Sequence, residues 1–329
     1  MKTDNGGQQA LLADHELILH EPEWFRKAIE NKPENRFVPF RESQLHYSFW
    51  AGPSPDAANI VLLHGDGAHA HWFDFIAPLL TPYYNVIALD MPGMGESGWL
   101  AHYSREIMAE AMIEMIRHAN FASKPAFIAH SFGGMVSLIT AHHYADELAA
   151  LMICDFHVKA PDVHHEWYAD IENWRPTRVY KTREEAEARF RLAPEQPCEN
   201  QFIVEYIGSR SVREVQIGAN GLRGPSEEAG WTWKFDPAIY PGFTVGYDLL
   251  DIYKSLPIPV AGMFGADSHD FDQINRKDVI AYMRTLRPDA PHYDISGARH
   301  HIMLDQPRAF ASAVLAQMEF WRANGAFKK

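Results

Sequence analysis

The run Ala129-His130-Ser131-Phe132-Gly133-Gly134 is where this sequence could do chemistry. It follows a short apolar stretch, Ala126–His130, and opens a helical segment, Phe132–Tyr144. A serine on a sharp strand-to-helix turn is lifted out of the sheet edge as an exposed nucleophile. The turn is so tight that the residues two before and two after the serine face each other. They must be small, and Ala129 and Gly133 are. The helix N-terminus beneath the hydroxyl favours negative charge developing on a substrate.

Two further segments supply what such a serine needs. His64-Gly65-Asp66-Gly67 follows another apolar run, Asn59–His64. An oxyanion hole takes two converging backbone N–H groups. Phe132, next to the serine, offers one; Asp66 offers the other, with Gly67 as the alternative. A carboxylate beside an oxyanion is unfavourable, so the Asp66 side chain is expected to turn away. Gly297-Ala298-Arg299-His300-His301 follows the last apolar run and supplies the general base, which must reach the serine hydroxyl. His300 is preferred to His301.

The elements that must hold these residues are legible as runs of five to seven apolar residues. Asn59–His64, Asn85–Asp90, Ala126–His130 and Ala149–Asp155 read as strands buried on both faces. Ile258–Gly265 and Pro291–Ile295 continue the series, and Arg36–Phe40 and Gln44–Ala51 precede it. Helical spacing marks Glu21–Asn31, Ser104–Ala119, Phe132–Tyr144, Arg276–Leu286 and Pro307–Ala323. The alternation predicts an α/β fold: a doubly wound, mostly parallel sheet. Residues 157–250 interrupt it with helical stretches (Glu184–Leu192, Gln201–Ile217) and four of the nine tryptophans, and read as an inserted helical cap. The expected division is an N-terminal extension at 1–35, a core of 36–156 and 251–329, and the cap.

Composition fits a folded chain of 329 residues, with 47% hydrophobic and 22% charged residues. The net charge of −13 disfavours nucleic acid and anionic membrane as partners. Cys154 and Cys198 make no disulfide framework, and no signal-peptide core or membrane-length apolar run is evident, so a cytoplasmic protein is expected, with a homodimer allowed. Gly93-Met94-Gly95-Glu96-Ser97-Gly98 has dinucleotide-loop spacing but opens no helix, so no nucleotide is expected. The histidine pairs His142/His143 and His164/His165, and His69-x-His71, lack carboxylate or cysteine partners at ligand spacing. They are read as surface, and no metal is expected.

Together HGDG (64–67), DMPGMGESG (90–98), AHSFGG (129–134) and GARHHIMLDQP (297–307) resemble the α/β-hydrolase superfamily over about residues 36–323, the insertion matching that family's lid. Ala129 replaces the usual first elbow glycine. The resemblance implies a carboxylate that orients His300, in the chain order serine, acid, histidine. The family's usual acid follows the penultimate strand, where this chain has Ser268, with Asp267 one residue early and Asp270 two late. Some branches, such as the haloalkane dehalogenase-like ones, carry it after the strand that follows the elbow helix, where Asp155 stands. The order of preference is Asp155, Asp267, Asp270.

The expected activity is a serine hydrolase that cleaves a carboxylic ester or lactone of an apolar or aromatic small molecule through an acyl-enzyme, without a cofactor. A serine elbow argues against dehalogenase and epoxide-hydrolase chemistry, which need a carboxylate nucleophile. Gly65 and the tryptophans Trp167, Trp231 and Trp233 are expected to contribute to the substrate pocket. The rival readings are a C–C bond hydrolase of a vinylogous diketone and a hydrolase-fold receptor for a small ligand.

Overall fold

The computed structural model describes residues 21–158, 178–216, 229–240, 243–268 and 276–327. Strands β1 (Glu34–Phe40) and β2 (Ser43–Trp50) form an antiparallel pair at one edge. They lead into β3 (Asn59–Leu63), β4 (Asn85–Leu89), β5 (Ala126–His130) and β6 (Ala150–Cys154). Strands β7 (Val212–Val215) and β8 (Gly230–Trp233) pair with each other in a separate small sheet. The main sheet is completed by β9 (Val260–Gly265) and β10 (His292–Ile295), giving the order β1-β2-β4-β3-β5-β6-β9-β10. From β4 to β10 every neighbouring pair is parallel.

The unbroken apolar runs have a simple cause. Successive side chains of a strand point to opposite faces. Ile60 and Leu62 therefore enter one core with Phe73, Phe310 and Trp321. Val61 and Leu63 enter the other with Met108, Met112 and Leu138. Each fully buried side chain of this kind stabilises the fold by about 1.5–3 kcal/mol. The helix Arg105–Ala119 covers one face; Ser104 caps its start by accepting from the Ile107 N–H, and Asn120 ends it in the left-handed conformation.

Helix and strand bounds in the sheet domain fall within two residues of the sequence reading; the insertion differs. The helix expected over Gln201–Ile217 stops at Gly208, and Val212–Val215 pairs with Gly230–Trp233. Val212 and Val215 are buried and Arg213 and Glu214 exposed, so the strand lacks the period-two alternation that would mark it, and its partner comes only at Gly230–Trp233. Trp167 and Asp270 lie outside the described residues.

Candidate active site

The serine turn is built as its sequence requires. Ser131 follows β5 at φ 52°, ψ −123°, and the helix Phe132–His143 begins at the next residue. The Ser131 N–H donates to Cys154 O at 2.9 Å, which pins the turn to β6. A Cβ on Gly133 would lie 2.4 Å from the His64 carbonyl oxygen, so only glycine fits where the helix meets β3. Gly133→Ala is expected to cost about 1–3 kcal/mol or more through this backbone contact. Denaturant unfolding checks it, and an unchanged midpoint would mean the contact is slack.

Three side chains from three strand ends meet at this turn. His300 Nε2 lies 2.9 Å from Ser131 Oγ, and His300 Nδ1 lies 2.8 Å from Asp155 Oδ2. Asp155 directly follows β6 at φ 50° and is buried. Its carboxylate also accepts from the Gly265 N–H at 3.1 Å and the Ser268 hydroxyl at 2.8 Å. Those two donors hold the acid from β9, at the place where the sequence pattern has serine rather than a carboxylate. Asp267 is exposed, its N–H bonded to Ala298 O at 2.9 Å. The structure thus brings Asp155, His300 and Ser131 into one hydrogen-bonded series and leaves the Asp267 side chain at the surface.

The loop after β3 lies against the turn. A Cβ on Gly65 would sit 3.1 Å from both Ser131 Cβ and His130 Nδ1. His64 is buried and neutral in its role: its Nδ1–H donates to Gly65 O and its Nε2 accepts the Met91 N–H. Burial lowers its pKa. The GMGESG segment wraps Asp90, whose carboxylate accepts from His46 Nδ1 and from the Ala70 and Glu96 N–H groups. Burial opposes that charge, but the hydrogen bond and the charge of His46 outweigh it and hold the acid well below its ordinary range. The glycine spacing there serves a buried carboxylate.

Asp66 does turn to a partner: Tyr240 of the inserted segment donates its hydroxyl to both carboxylate oxygens at 2.9 Å. Burial pushes the Asp66 carboxyl up to about 6, against the opposing Tyr240 and Gly67 hydrogen bonds. Between its ordinary value of 3.8 and about 6 the folded chain binds the extra proton. The contribution to stability is therefore present in acid and lost as pH rises through that window. Asp66→Asn is expected to exceed the parent protein in stability by about 1–3 kcal/mol at pH 8 and to gain nothing at pH 4. Denaturant titrations at the two pH values check this; the same difference at both would contradict it.

Of the three tryptophans, Trp231 and Trp233 lie among the described residues. Trp233 packs edge-on to Tyr180 at 6.1 Å and against Phe190 at 6.4 Å. Trp231 lies under Arg183 and pairs its backbone with Tyr180. Both sets of contacts are internal to the insertion. Phe202 and Tyr206 pack on Phe25 of the helix Glu23–Glu30. The aromatics near the Ser131 turn are ones sequence reasoning did not single out for it: Phe243 against Phe132 at 5.5 Å, and Tyr240 on Asp66. Phe235 reaches 4.0 Å from where a Gly67 Cβ would lie. His69 and His71 are also placed differently. His69 is buried and bonded to Ser211 Oγ at 2.8 Å, and His71 pairs with Asp74 at 2.8 Å, because their loop packs beneath the insertion.

Comparisons with known proteins bear on the family and the fold. A family model described as the alpha/beta hydrolase family matches residues 60–313. A pimeloyl-[acyl-carrier protein] methyl ester esterase of Klebsiella pneumoniae is 22% identical over 273 residues, covering 82% of this chain and 96% of that protein. A 2-hydroxy-6-oxo-6-(2'-aminophenyl)hexa-2,4-dienoic acid hydrolase of Metapseudomonas resinovorans is 22% identical over 307 residues, 91% of this chain and 96% of that one. Among solved structures, a thioesterase domain from the curacin biosynthetic pathway aligns with a TM-score of 0.67 at 19% identity, over 87% of this chain and 100% of that one. Among the described residues, no helix is long and apolar enough to cross a membrane.

Proposed function

The chain belongs to the alpha/beta hydrolase family, and we propose that it is a serine hydrolase cleaving a carboxylic ester or lactone of an apolar or aromatic small molecule. The observation that carries this reading is the series Asp155–His300–Ser131, bonded at 2.8 and 2.9 Å at the mouth of a strained strand-to-helix turn. His300 takes the Ser131 proton as Oγ attacks the carbonyl carbon. The carbonyl π pair moves to the oxygen, which the Phe132 and Asp66 N–H groups receive, each worth roughly 10²–10³ in rate. The pair returns, the C–O bond breaks, and His300 gives its proton to the leaving alcohol. Water, deprotonated by His300, then attacks the acyl carbon, the bond to Ser131 Oγ breaks, His300 returns the proton to Oγ, and the acid is released. Asp155 fixes the imidazole tautomer and stabilises the imidazolium.

In this reading residues 36–156 and 251–329 form the catalytic core, 157–250 the cap over it, and 1–35 an extension. The apolar substrate class is supported by Phe235 and Phe243, which lie near the serine turn and the Asp66 loop. A second reading, C–C bond hydrolysis of a vinylogous diketone, is favoured by the name of the Metapseudomonas relative alone. Steady-state kinetics on an aryl ester series and on a ring-cleavage dione separate the two. The expected result is multiple turnover with kcat/KM higher for the esters. A dione preference would support the second reading, and binding without turnover of either would support a receptor.

A further inference from the structure

His130, His300 and His301 form a buried imidazole cluster that ester hydrolysis only partly uses. Their ring centroids lie 4.8 Å (130–300), 5.0 Å (300–301) and 5.7 Å (130–301) apart. One ring nitrogen from each falls within 4.8 Å of the others. Each ring also has its second nitrogen committed to an oxygen. His300 Nδ1 faces Asp155 Oδ2, His130 Nε2 faces His300 O at 2.8 Å, and His301 Nε2 faces Pro194 O at 3.2 Å. Carbonyl oxygens only accept, so the proton of His130 and that of His301 sits on Nε2 and the Nδ1 lone pair is left. Both Nδ1 atoms are buried and have no hydrogen-bond partner, although each residue is only 2% exposed. Buried polar atoms are almost always satisfied, so two unpartnered lone pairs on rings that adjoin His300 stand as candidate ligand atoms.

We propose that this cluster is an inhibitory site for a borderline-soft divalent cation of the Zn²⁺ class, held by His130 Nδ1, His301 Nδ1 and His300 Nε2. Neutral imidazoles whose far N–H is held by a carboxylate or a carbonyl are the arrangement in which histidines bind such ions. Zinc–nitrogen bonds of about 2.0–2.1 Å set tetrahedral nitrogens about 3.4 Å apart, inside the 4.8 Å that encloses one nitrogen of each ring, so the rings would draw together on binding. The ion takes the His300 lone pair that otherwise receives the Ser131 proton. Occupancy therefore silences the nucleophile; this consequence rests on the proposed hydrolase reading, whereas the binding itself does not.

Isothermal titration of chelator-treated protein with zinc chloride tests the site, with cobalt absorption as a second probe. The expected result is one equivalent bound in the micromolar range, with ester turnover lost over the same range. His301→Phe keeps the packing on Trp72 and is expected to weaken zinc affinity by about tenfold or more. Should that variant fail to fold, the parent protein phosphonylated on Ser131 serves instead, since the adduct crowds His300 Nε2 and must weaken zinc uptake similarly. Affinity unchanged in both, as exposed histidines such as His142 and His143 would give, overturns the site. Zinc binding that His301→Phe weakens, in a protein without ester turnover, would uphold the site and sink the hydrolase reading.

Discussion

Ser131→Ala is expected to lower kcat for an activated ester by about 10⁶, because the residues of such a series act as a unit and removal of the nucleophile abolishes the covalent route. Some acceleration over water, about 10³–10⁴, should persist from the oxyanion donors and from binding. The fold should survive. The Ser131 side chain makes no helix-cap hydrogen bond, and its hydroxyl is described bonded to His300 alone. Alanine also suffers no more than serine at φ 52°. Stopped-flow or long-incubation assays, paired with an unfolding curve, check both halves. Turnover within a few-fold of the parent would remove Ser131 from the chemistry.

The second large effect separates the carboxylates. Asp155→Asn is expected to reduce kcat by about 10⁴ at neutral pH, since an amide can donate to His300 Nδ1 and so favour the tautomer whose Nε2 carries the proton. That tautomer cannot accept from Ser131. The change is nearly isosteric: the Gly265 N–H keeps the side-chain oxygen and the Ser268 hydroxyl can turn to accept from the amide, so KM should move little. Asp267→Asn is expected to leave kcat within a few-fold, because its side chain is exposed and outside the bonded series. Assaying the two purified variants on the same ester decides it. Comparable losses in both would mean that Asp155 does not orient the base.

Much of this was legible in advance because parallel-sheet strands are buried on both faces. Asn59–Leu63 or Ala150–Cys154 needs no knowledge of its neighbours to be read as a strand. The turn at Ser131 was equally plain, since its steric demand falls on local residues, Ala129 and Gly133. Asp155 is preferred for its place at the end of β6; the bond that the Ser268 hydroxyl donates to it, across 113 residues, leaves no local sequence signal. What escaped depends on distant partners. Val212–Val215 looks helical until Trp231 and Trp233 arrive alongside. Those tryptophans looked like pocket walls because aromatic content reports burial without direction. Tyr240 was invisible as a partner for Asp66, 174 residues away in sequence.

The most direct measurement is chemical rather than mutational. Incubating the protein with a fluorophosphonate and mapping the adduct by peptide mass spectrometry asks whether the Ser131 hydroxyl is activated. A single phosphonyl group on Ser131, formed in proportion to lost esterase activity and strongly slowed in His300→Ala, is the result expected. No adduct, or an adduct on another residue while Ser131 stays unmodified, would contradict the assignment of Ser131 as the nucleophile activated by His300.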